Sequence, residues 1–173
     1  MRFRHITKIL VGVATTAALA ASPVAIATVD MFIKIDNIPG DSKAEGHVGE
    51  IDIHSFSWGE SKSTKPDCVA LSDISITKFV DISTPALIQA LATGQPAIPK
   101  AKLSVRKLGA PPGAGDFLII EMSNVTVSSV QTSGHGADDI NENVTLSFSS
   151  LKFSWSPEGN PPVSGVTART CAK

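Results

Sequence analysis

The chain has no apolar run of bilayer-spanning length: the longest, residues 9–21, falls short of the roughly 20 residues that a transmembrane helix requires. A retained helical anchor is therefore not expected. Cysteine is scarce, with only Cys68 and Cys171 among 173 residues, and neither follows Ala27 directly, so no acceptor is present for lipid attachment at a new N-terminus. Basic charge is not in surplus either: 15 Lys and Arg stand against 16 Asp and Glu, for a net charge of −1, and no basic patch suggests a nucleic-acid partner.

Signatures of catalysis and cofactor binding are equally thin. No serine sits in a Gly-x-Ser-x-Gly elbow. Beyond the leader the histidines are His47, His54 and His135, none in a catalytic context: His47 lies beside a turn and Glu50, and His54 lies where a strand changes phase. The string from Gly109 to Gly115 lacks the Lys and Ser/Thr of a phosphate loop and reads as a turn between strands. Asp139, Asn141 and Asn143 imitate the start of a calcium loop, but Val144 occupies the position that needs Gly and Ser150 the position that needs Glu. That string reads as a solvated hairpin loop. No enzyme activity, metal or cofactor is expected.

What the sequence does carry begins with a leader. Arg2, Arg4 and Lys8 precede the apolar run, then Ser22-Pro23 leads to Ala25-Ile26-Ala27, the charged, apolar and small-residue order of a secretion signal. Residues 1–27 are thus expected to be a signal peptide, the product beginning at Thr28, and residues 28–173 a single domain of ordinary size. Without the leader the count becomes 12 basic against 16 acidic residues, a net charge of about −4.

Period-two alternation predicts at least six strands, at Met31-Ile33-Ile35, Ile51-Ile53, Ile74-Ile76, Ala101-Leu103-Val105, Leu118-Ile120-Met122 and Val144-Leu146-Phe148. In three places the phase slips: Ile53 is followed by Phe56 and Trp58, Met122 by Val125 and Val127, and Phe148 by Leu151, Phe153 and Trp155. Such a slip means a bulge, a bend between two sheets, or apolar residues on both faces. One helix is legible, capped by Asp81, Ser83 or Thr84, with Pro85 in its first turn and Gly94 as its stop. Leu87, Ile88 and Leu91 form its apolar stripe, expected to pack on a sheet. Gly/Pro-rich or polar connections fall at residues 43–46, 109–115, 134–139 and 157–165.

Two cysteines in a chain bound for an oxidising compartment are consistent with one Cys68–Cys171 disulfide, and with two free thiols. Asn124-Val125-Thr126 and Asn143-Val144-Thr145 match the glycosylation acceptor pattern and are read as chance matches.

Several separate blocks resemble the Hcp tube proteins of bacterial type VI secretion. Val29-Asp30-Met31-Phe32-Ile33-Lys34-Ile35 resembles that family's opening strand, and Glu50-Ile51-Asp52-Ile53 through Phe56-Ser57-Trp58-Gly59 its second block. The segment from Thr77 to Pro85 is similar to the lead into the family's single helix, and Lys102-Leu103 through Arg106-Lys107 to the strand after it. Val127-Ser128-Ser129-Val130 and Glu142-Asn143-Val144-Thr145-Leu146-Ser147-Phe148 complete the order.

The resemblance implies a mainly β fold, a two-sheet β-barrel with one short α-helix, whose copies join as hexameric rings stacked into a hollow tube. It implies a conduit or secreted substrate, not a catalyst, partnered by itself, by secreted effectors and by other type VI components. If Phe56 and Trp58 face the core, Ser57 points the opposite way; within a ring that makes it the candidate channel-facing cargo contact. Family members usually assemble in the cytoplasm, whereas the leader predicts a secreted or periplasmic product without a membrane partner after cleavage. The second reading is an exported monomeric effector or periplasmic binding module built on the same barrel.

Overall fold

The computed structural model describes residues 28–62, 69–94, 97–108, 115–134, 136, 139–156 and 163–169. The strands in chain order are β1 (Val29–Ile35), β2 (Ile51–Ile53), β3 (Ser55–Ser57), β4 (Glu60–Lys62), β5 (Val69–Leu71) and β6 (Ile74–Phe79). Helix α1 (Thr84–Thr93) comes next, before β7 (Ile98–Lys107), β8 (Leu118–Ser133), β9 (Asn141–Ser147), β10 (Ser150–Trp155) and β11 (Val163–Arg169). Nine strands form one antiparallel sheet with the path β2-β1-β7-β8-β9-β6-β3, β10 and β11 branching from β8, while β4 and β5 make a separate ribbon.

This sheet is folded into two leaves, and each phase slip in the sequence is a place where the chain crosses between them. β2 pairs with β1, then His54 interrupts the strand and β3 pairs with β6. The first half of β8 pairs with β7 and β10 and its second half with β9. β9 leaves the second leaf after Phe148, and β10 joins the first. Strict alternation would aim the apolar set outward after each crossing, so the phase must change there to keep Ile120, Met122, Val125 and Val127 all in the core. Of the meanings a slip can have, a bend between sheets is the one found at all three.

Within β8 the bend falls at Asn124, whose φ of 51° is the left-handed conformation that asparagine tolerates better than most residues. Its Nδ2 donates to Ser149 Oγ at 2.8 Å, and the Ser149 N–H donates to the Ser123 carbonyl at 3.0 Å, so two of the corners are tied together. The two ends of the sheet path, β2 and β3, are consecutive pieces of chain joined at His54. The barrel is therefore completed by chain continuity at this corner and is not closed by a hydrogen-bonded ladder. The expected mainly β, two-sheet architecture with one short helix is otherwise found.

The helix boundaries follow the expected punctuation. Ser83 is the N-cap, Pro85 lies in the first turn, and Gly94 ends the helix in the left-handed conformation at φ 54°. Ser83 makes no side-chain cap bond; the Asp81 carboxylate accepts from the Ser83 N–H at 2.9 Å instead. The predicted apolar stripe needs correction. Leu87 is fully buried, but Ile88 and Leu91 are exposed, because the face turned to the core carries the smaller Ala86 and Ala90 beside Leu87.

Asn124→Val should destabilise the fold by about 1–2 kcal/mol, since a β-branched residue resists the left-handed backbone. Asn124→Gly should lose less, giving up the side-chain bond but keeping the conformation. Urea midpoints of the two variants provide the check, and a Val variant as stable as the parent would contradict the corner's role.

Candidate functional site

Ser57 occupies the outer face of the second leaf, as the alternation predicts: Phe56 and Trp58 pack against the core and Ser57 is exposed. The ladder sets it beside Ser75, which aligns with Thr145 and then Ser129; the next row holds Ser55, Thr77, Asn143 and Gln131. Ser75 Oγ donates to Asn143 Oδ1 at 2.9 Å and lies 3.4 Å from Thr145 Oγ1. These two rows consist of hydroxyls and amides with no formal charge.

The neutrality has a counterpart beneath the sheet. On β6 and β9 the charged residues point inward: Lys78 and Glu142 face each other across the ladder, and both are almost fully buried. Lys78 Nζ lies 2.9 Å from Glu142 Oε2 and 2.7 Å from Asp81 Oδ1, and donates to the Phe79 carbonyl at 2.7 Å. Thr84 Oγ1 sits 3.2 Å from the ammonium and donates to Glu142 Oε2 at 2.9 Å. Glu142 Oε1 is buried without a hydrogen-bond partner.

A Thr–Lys pair could in principle be a nucleophile and its base. Here the three ammonium protons are directed at oxygen acceptors, so no nitrogen lone pair is offered to Thr84. The cluster instead pins the start of α1 to β6 and β9. This burial also corrects the expectation of a solvated loop, because Asn141, Glu142 and Asn143 are already part of β9. The signal was present in the phase: Lys78 continues the inward series Ile74 and Ile76, and Glu142 begins the series ending in Val144 and Leu146.

A second ionic cluster lies outside the first leaf. The connection from residue 36 to residue 50 folds back over the sheet and covers Phe32, which alternation places on the outward face but which is 3% exposed. The His47 ring stacks on Phe32 at 4.0 Å between centroids, with 6° between planes, and Arg106 Cζ lies 5.0 Å from the Phe32 centroid. His47 Nδ1 is 2.8 Å from Glu50 Oε2 and Nε2 is 3.0 Å from Asp116 Oδ1. Arg106 donates from Nη1 to the Glu45 carbonyl at 2.7 Å and pairs with Asp30 at 3.3 Å. Both imidazole nitrogens are thus occupied by carboxylates that brace the loop. Sequence proximity revealed His47 and Glu50; Asp116, a distant segment, could not be inferred.

His54 is exposed at its corner, its N–H donating to the Thr77 carbonyl at 2.7 Å and its ring 4.1 Å from that of Phe79. Cys68, Cys171, His135 and the leader 1–27 lie outside the described residues. Among the described residues no group of three or more His, Cys, Asp or Glu side chains is arranged to hold a metal, and no helix is long and apolar enough to cross a membrane.

The family model described as "Type VI secretion system effector, Hcp" matches residues 32–155. Protein hcp1 of Pseudomonas aeruginosa is 41% identical over 139 residues, which span 75% of this chain and 85% of that protein. The crystal structure of Hcp1 from Salmonella typhimurium superposes with a TM-score of 0.68 at 28% identity, covering 79% of this chain and 91% of its own. A type VI secretion system effector from Yersinia pestis, at 24% identity, superposes with a TM-score of 0.71 over 82% of this chain and 100% of that one, a likeness of fold. Among the described residues, the two-leaf sheet with its one helix is thus the fold of the type VI secretion Hcp proteins. The chain belongs to the Hcp family.

Removing one partner of the buried pair, as in Lys78→Met, should cost about 3–5 kcal/mol because Glu142 is left buried and uncompensated. The double variant Lys78→Met/Glu142→Leu should recover most of that loss. A double-mutant cycle by chemical denaturation reads the coupling, and additive losses would contradict it.

Proposed function

We propose that this protein is a structural subunit of a type VI secretion apparatus that forms hexameric rings, stacks them into a hollow tube, and either carries secreted cargo or is itself secreted. Residues 28–173 act as the single Hcp-like barrel domain, and residues 1–27 as a removable export signal. The partners are further copies of the chain, secreted effectors and other type VI components.

Membership of the Hcp family supports this reading, and one observation carries it further: two adjoining uncharged rows on the outer face of the second leaf, with the Asp73 carboxylate, which accepts from Ser128 Oγ at 3.0 Å, beside them. A conduit wall must let a protein surface pass without holding it by fixed charges. Rows of Ser, Thr, Asn and Gln meet that need, with the two charges of the same strands turned inward. Ser57, small and exposed at the end of such a row, is the position where a cargo surface would meet the wall.

Analytical ultracentrifugation of the purified protein should give the mass of six copies, and a monomer persisting at high concentration would favour the exported effector or binding module instead. Ser57→Gln should leave the ring intact while reducing the cargo that co-purifies; unchanged retention would remove Ser57 from the wall.

The secreted form should begin at Thr28. If Cys68 and Cys171 are bridged, its intact mass should rise by two hydrogen atoms on treatment with a thiol reductant. In the chain-entropy account a loop of that length contributes roughly 4 kcal/mol. An unchanged mass would leave two thiols.

A further inference from the structure

Glu142 Oε1 is a buried oxygen for which the fold supplies no donor. A polar atom in that position is rare enough to need a cause. Its sister oxygen Oε2 lies 2.9 Å from Lys78 Nζ and accepts from Thr84 Oγ1 at 2.9 Å. The Lys78 and Glu142 side chains are both 0% exposed, so the pair is shielded from bulk water.

Amide formation between the two side chains accounts for the orphan oxygen. An ammonium and a carboxylate condense by losing one carboxylate oxygen as water, and the oxygen that stays becomes the amide carbonyl. With Oε1 as the one that leaves, Oε2 keeps the Thr84 hydroxyl as its donor. The nitrogen keeps one hydrogen, and the Phe79 carbonyl, 2.7 Å from Nζ, is there to accept it. Two buried charges and one unsatisfied atom disappear together.

The surrounding groups match the step. Asp81 Oδ1 is 2.7 Å from Nζ and is itself fixed by the Ser83 N–H and hydroxyl, so it can take a proton from the ammonium and free the lone pair. The lone pair attacks Glu142 Cδ, and the Thr84 hydroxyl stabilises the negative charge that gathers on Oε2. The bond from Cδ to Oε1 then breaks. Of the three ammonium hydrogens, one remains on the amide nitrogen and two depart with Oε1 as water. One of these two travels by way of Asp81, which ends as the carboxylate it was. No outside reagent is required. Lys78 aligns with Glu142 in the β6–β9 ladder, so the sheet holds nucleophile and carbonyl carbon opposite each other.

We infer that Lys78 Nζ and Glu142 Cδ form an intramolecular amide bond that ties β6 to β9 covalently, with Asp81 as its base. The ion pair is the arrangement from which the bond forms. The inference stands apart from ring assembly.

The mass of the purified full chain, denatured and treated with a thiol reductant, tests it. That mass should be one water molecule lighter than the sequence from its N-terminal residue requires. A protease digest should contain one branched peptide whose fragmentation joins Lys78 to Glu142. Lys78→Arg, which keeps the charge, should have its full mass. Asp81→Asn should have its full mass too, with circular dichroism verifying that it folds. A parent of full mass overturns the bond, and so does a loss of water that maps to any other pair, Lys78 with Asp81 included. An Asp81→Asn variant that still loses water overturns the role of Asp81 as the base.

Discussion

Side chains of a pleated strand alternate between its two faces, and this constraint governs the whole fold. A sheet that encloses its core must keep one face apolar along every strand, including strands that pass from one leaf to the other. The chain satisfies that demand by changing phase at His54, at Asn124 and at Ser149. The left-handed backbone of Asn124 and its bond to Ser149 hold two of these corners in register. The third corner completes the barrel without a ladder between its edge strands.

The same alternation distributes charge. At the end of the barrel covered by α1, two inward positions are filled by Lys78 and Glu142, and desolvating them is tolerated only because Asp81, Thr84 and the Phe79 carbonyl surround the ammonium. Apart from Phe79 at the end of β6, the outward positions of those strands are left to hydroxyls and amides. On the first leaf the arrangement differs: an outward Phe32 is buried because the 36–50 loop folds over it, braced by His47, Glu50, Asp116 and Arg106. One leaf thus presents two uncharged rows in the open, and the other a face armoured by a loop.

Much of this was legible in the sequence, because period-two patterns and their slips report strand direction and corners without any knowledge of partners. The orientation of Ser57 followed from its neighbours Phe56 and Trp58 by the same rule. The helix was legible at both ends, through Pro85 and Gly94, but its buried face was misassigned: size alone favoured Ile88 and Leu91, while the packed face holds Ala86 and Ala90. Lys78 and Glu142 were overlooked although their phase placed them inside, since a charged residue is ordinarily counted as solvated. Phe32 and Asp116 lay beyond reach, because their burial and pairing depend on where a long connection comes to rest.

β8 belongs to both leaves at once. The other strands of this sheet each pair with one or two neighbours, whereas β8 pairs with three, β7 and β10 in one leaf and β9 in the other. Neither leaf therefore has a boundary along which it could melt alone. The domain is built to hold or to fail as a single cooperative unit, a property suited to a part that must keep its shape under load.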